Sequence, residues 1–134
     1  MIEFLFASLL LASPQDADTY GRDVTLAGLC GSMGWVVDGT QANRLADVVA
    51  ASHPQMTRAQ FDAAAAQAGA AFVQQTRTDM AAIDSQAAFQ AWASALEARC
   101  DAVAQTYPDV LHRGPETAAT WSATQARLAA RYPQ

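Results

Sequence analysis

The sequence predicts an all-α fold, a compact antiparallel bundle of four to five helices stapled by one disulfide. Three observations carry that expectation. Large apolar residues recur at steps of three and four in every long segment, which places them on one face of an α-helix. Alanine, the best helix former, supplies much of an apolar fraction of 51%. No stretch sustains the alternation of a strand, and Val36-Val37 is the only β-branched pair beside a turn. With 134 residues there is room for one domain with a core of its own. Because alanine buries little area, that core is expected to be thin.

The chain opens on an apolar run, Phe4 to Ala12, followed by Ser13-Pro14 and polar residues. A membrane span needs roughly 20 apolar residues, so no stable span is expected. The length suits the apolar region of an export signal, although Glu3 stands where a basic residue is usual and no clean A-x-A site follows. The reading taken is a signal peptide or N-terminal apolar segment over 1–17 and a single α-helical domain over 18–134. A buried N-terminal core helix is the alternative, and it would place the protein in the cytoplasm.

Helix one is expected from Tyr20 through Cys30 to Val37, ended by Asp38-Gly39. Gly28, Gly31 and Gly34 recur along it and are expected to let a second helix backbone pack closely. A phosphate-cradling loop would want a preceding strand and G-x-G-x-x-G spacing, which are missing. Thr40 is expected to cap a short second helix through Val49. A third opens at Thr57, with Gln60 completing a capping box, and buries Phe61, Ala65, Ala68 and Phe72.

The helix expected to organise the rest runs from Asp84 or Ser85, as cap, to Tyr107, where Pro108 stops it. Its stripe is Phe89, Trp92, Leu96, Cys100, Val103 and Tyr107. Pro115 suits the first position of a last helix, with Trp121, Leu128 and Ala118 facing inward. Aromatic residues on different helices read as a shared core rather than a ligand cage.

Cys30 and Cys100 are the only two cysteines, and both fall on apolar stripes. In an exported protein they are expected to be joined; as buried free thiols they would fit a cytosolic one. Neither lies in a C-x-x-C pair, so redox catalysis is not indicated. No histidine pair has metal-ligand spacing, no G-x-S-x-G elbow is present, and no metal or cofactor is expected. His112 and Arg113, at the start of the last helix, are the possible anion or ligand contacts. Glu97 and Asp101 lie four apart on the central helix, away from its stripe, and read as solvated surface.

All eight basic residues are arginine and the net charge is −5, which argues against nucleic acid as a partner. The expectation is therefore a small periplasmic or secreted helical protein that binds another protein, as an adaptor, inhibitor or immunity-type module. A small-ligand binder or enzyme with a dispersed site, and a cytosolic helical interaction domain, are the alternatives.

Overall fold

The computed structural model describes residues 16–134. Phe4 to Ala12, and with them the expected export signal, lie outside the described residues. Among the described residues there are five helices: α1 (Ala17–Ser32), α2 (Gly39–Ala51), α3 (Arg58–Ala81), α4 (Gln86–Thr106) and α5 (Thr117–Ala129). Two short strands join them, β1 (Val36–Val37) and β2 (Leu111–His112), paired antiparallel with Val36 opposite His112 and Val37 opposite Leu111.

Local chemistry explains most of the helix ends. The Asp16 side chain accepts from the Thr19 N–H at 2.9 Å and starts α1, a residue ahead of the expected 17/18 boundary. Thr57 and Gln60 form the expected capping box of α3, with bonds of 3.1 and 2.8 Å. Ser85 caps α4 through the Ala88 N–H, and the helix ends at Thr106, two residues before Pro108.

Three ends depart from expectation. Helix α1 stops at Ser32 rather than Val37, because Gly34 takes φ +106° and turns the chain out. The hydroxyl of buried Thr117 holds that turn, donating to the Gly34 carbonyl at 2.8 Å and accepting from the Gly114 N–H at 2.7 Å. Asp38, not Thr40, caps α2. Helix α5 begins at Thr117, beyond Pro115, and Ala118 is exposed.

Helix α1 is antiparallel to α2, with the Tyr20 hydroxyl donating to the Ala42 carbonyl. It is antiparallel to α4 as well, since Cys30 meets Cys100 and the Tyr107 hydroxyl donates to Asp23 at 2.8 Å. Helix α4 in turn runs antiparallel to α3, with Arg99 over Phe72 and Trp92 near Asp79, and to α5, with Gln90 bonded to Gln125 and Gln86 to the Tyr132 carbonyl just beyond it. Because α2 carries the chain back to its starting end, α1 and α3 run parallel. Helix α1, expected to be one of several packed around α4, is itself the element that touches α2, α3, α4 and β1.

Close approach of α1 and α3 rests on Gly21 and Gly69. A Cβ on Gly21 would lie 2.1 Å from the Ala65 carbonyl oxygen, and one on Gly69 would lie 2.4 Å from Thr25 Oγ1. The glycines expected in that role do other things. Gly28 is exposed, with nothing within 4 Å of its Cβ position. Gly31 lies against Val37, and Gly34 makes the turn against Thr120. The main core gathers Trp35, Phe89, Leu96, Leu111 and Trp121 around the fully buried Cys30–Cys100 disulfide, and a smaller one joins Ala17, Ala46, Val49 and Phe61.

Candidate functional site

Beyond Gly69 the facing residues of α1 and α3 change from glycine to Leu29 and Phe72, and a groove opens between these helices and α4. Two adjoining hollows of about 240 and 170 Å³ share Leu29, Phe72 and Thr76. Val73 borders the first, and Trp92 and Leu96 of α4 line the second. Val73 remains 38% exposed, one of few large apolar side chains left so open.

The threonine hydroxyls of the groove walls spend their protons on their own helices. Thr25 Oγ1 donates to the Gly21 carbonyl at 2.7 Å and Thr76 Oγ1 to the Phe72 carbonyl at 2.9 Å. Each hydroxyl is turned back on its own helix, so neither has a proton left to donate into the groove. Charge enters only at the rim, where Arg77, Arg99 and Asp79 stand. The Arg99 guanidinium lies 5.2 Å from the Phe72 ring centroid, and neither Arg77 nor Arg99 makes an ion pair among the described residues. Asp79 accepts from the Gln75 amide.

Two other concavities lie elsewhere on the described surface. A hollow of about 310 Å³ between α2 and the end of α4 sets Val48, at 57% the most exposed large apolar side chain among the described residues, beside Arg44 and Asp109. One of about 390 Å³ beside the start of α1 is lined by Asp16, Asp18, Arg22 and Gln67.

Arg113, a candidate ligand contact, is held on α4. Its Nε and Nη2 grip Asp101 Oδ1 and Oδ2 at 2.9 Å each, Nη2 also reaches Glu97 Oε1 at 2.9 Å, and its guanidinium lies 4.8 Å from the Trp35 ring centroid. The Arg113 hydrogen bonds hold the Asp101 carboxyl below its ordinary range, with a minor contribution from the Trp35 indole. That indole N–H is buried near Asp101 but makes no hydrogen bond of good geometry, so it serves as a weak dipole only. Glu97 and Asp101, read as solvated surface, are thus the anchor of the β2–α5 loop. His112 is exposed on β2, and neither it nor Arg113 lines any of the hollows described.

Among the described residues no group of three or more His, Cys, Asp or Glu is placed to hold a metal ion, and no helix is long and apolar enough to cross a membrane. No family model, curated protein or solved structure matches the chain. The groove escaped the sequence reading because its walls come from helices far apart in the chain. Its one legible trace was the pair Phe72-Val73, which turns one side chain inward and leaves the next outside.

Proposed function

We propose that this protein acts by binding another protein through the α1–α3–α4 groove, in the periplasm or outside the cell. One observation carries the reading: a folded, cross-linked domain leaves open a mainly apolar groove whose two threonine hydroxyls are turned back to donate to their own helices. An apolar centre with charged side chains at its rim is one form that an interaction site takes. The disulfide supports the compartment, since such bonds persist where the surroundings are oxidising. The ligand-binding or enzymatic alternative wanted a pocket around His112 and Arg113. That reading is weakened by the commitment of Arg113 to two carboxylates.

The test is a photo-crosslinking amino acid placed at Val73, with Ala123 on the exposed side of α5 as control, in cells that make the full chain. A discrete crosslinked protein from position 73 and none from position 123 is the expected result. Equal crosslinking from both positions, or none from position 73, would overturn the reading.

A further inference from the structure

We infer that the groove's occupant is an amphipathic helical segment of a partner protein that carries acidic residues beside its apolar face. The inference rests on the protein-binding reading and adds the chemistry of the partner.

Three observations lead to it. The walls are parts of helices whose backbone groups are satisfied, so an extended strand finds no edge to pair with and gains nothing from its own backbone. A helix, which satisfies its own backbone, loses nothing by lying there. The adjoining hollows, about 240 and 170 Å³, lie side by side along α3 between Phe72 and Asp79. That span is about 10 Å at 1.5 Å per residue, the reach of apolar side chains one or two turns apart on a facing helix.

The rim then selects charge. Arg77 and Arg99 flank the apolar walls without an ionic partner among the described residues, on a chain whose net charge is −5. Asp79 is the one carboxylate among the residues that line the groove, and it already accepts a hydrogen bond. Two cations at the edge of a desolvated strip are complementary to carboxylates flanking an apolar stripe and repel cations placed there. Neither hollow reaches the roughly 300 Å³ at which a pocket buries most of a small ligand such as a fatty carboxylate. A protein segment supplies its own cover.

The experiment uses the full, oxidised protein and two synthetic amphipathic helical peptides with the same leucine spacing, one flanked by glutamate and one by lysine. Affinities are read by fluorescence anisotropy of the labelled peptides, with decanoate as a third probe. The glutamate peptide is expected to bind about ten-fold tighter than the lysine peptide, from two rim charges that attract one and repel the other. Arg77→Glu, at an exposed position, is expected to shrink or reverse the preference with the circular dichroism unchanged. Equal affinities, no binding of either peptide, or a preference indifferent to Arg77→Glu overturns the inference. Binding of decanoate alone overturns it in favour of a small amphiphile. Crosslinking from position 73 survives if only the charge preference is wrong, and fails with it if the groove binds no protein.

Discussion

The two faces of α1 are held by opposite means. Toward α3 it offers Gly21 and Thr25, and the backbones come so near that no Cβ fits at position 21. Toward α4 it offers Leu26, Cys30 and the Asp23–Tyr107 hydrogen bond, with large side chains and a covalent link filling the space. The first face gains dispersion contacts while burying little apolar area, and one added methyl is enough to wedge it apart. The second is closed by a covalent link. A thin alanine-rich chain thus closes on one side by approach and on the other by a staple. The groove lies where the close approach ends.

Breaking the staple is expected to have the largest effect. In the chain-entropy model, a link across 70 residues restricts the unfolded chain by about 4 kcal/mol. Reduced protein, or the double Cys30→Ala, Cys100→Ala variant, should unfold at much lower denaturant than the oxidised form. A loss under about 1 kcal/mol would show that side-chain packing alone holds the α4 face.

Gly21→Ala attacks the other face. The new methyl would meet the Ala65 carbonyl at 2.1 Å, so α1 and α3 must move apart, at a cost of about 1–3 kcal/mol in chemical unfolding. A neutral result would mean that the two helices are free to slide.

Arg113→Ala removes both carboxylate contacts and the stacking over Trp35, for an expected loss of about 1 kcal/mol at neutral pH given how exposed the pairs are. Its pH dependence sharpens the assignment. The folded state lowers the Asp101 pKa, so the contribution is complete above the ordinary value of 3.8 and is lost as pH falls through the lower folded value. The stability gap between wild type and variant, measured by denaturation at several pH values, should therefore be constant near neutrality and close in strong acid. A gap that persists there would assign the loss to packing on Trp35.

Gly28→Ala should be the mildest change and opposite in sign. Nothing lies near its Cβ position on an exposed turn of α1, so alanine should raise stability by about 0.5–1 kcal/mol through helix propensity. Gly21 and Gly28 on the same helix are thus expected to respond to the same substitution in opposite directions, which thermal melts of the two variants would show.

The contrast between these glycines also marks where the sequence could be read. Features set by neighbours in the chain were legible: the Thr57–Gln60 capping box, the stop before Pro108 and the stripe of α4. The disulfide was legible too, because both cysteines lie on stripes that have to face a core. Features set by a distant partner were not. Gly28, Gly31 and Gly34 form the visible pattern, but which glycine meets a backbone depends on where α3 lies, and that chose Gly21. Helix α1 ends early because Thr117 holds the Gly34 carbonyl from 83 residues away, a partner that no local periodicity reveals. Arg113 reaches Glu97 and Asp101 across 16 and 12 residues in the same way, joining candidates that the sequence offered separately.

The most direct test of the two-faced account is native-state hydrogen exchange on the oxidised protein, resolved to segments. Amides of 93–100 in α4, beside the disulfide and the main core, are expected to exchange only through global unfolding. Those of 73–80 in α3, along the open groove, should exchange faster through local opening. Equal protection of the two segments would contradict the account and make the helices one cooperative unit with no weaker side.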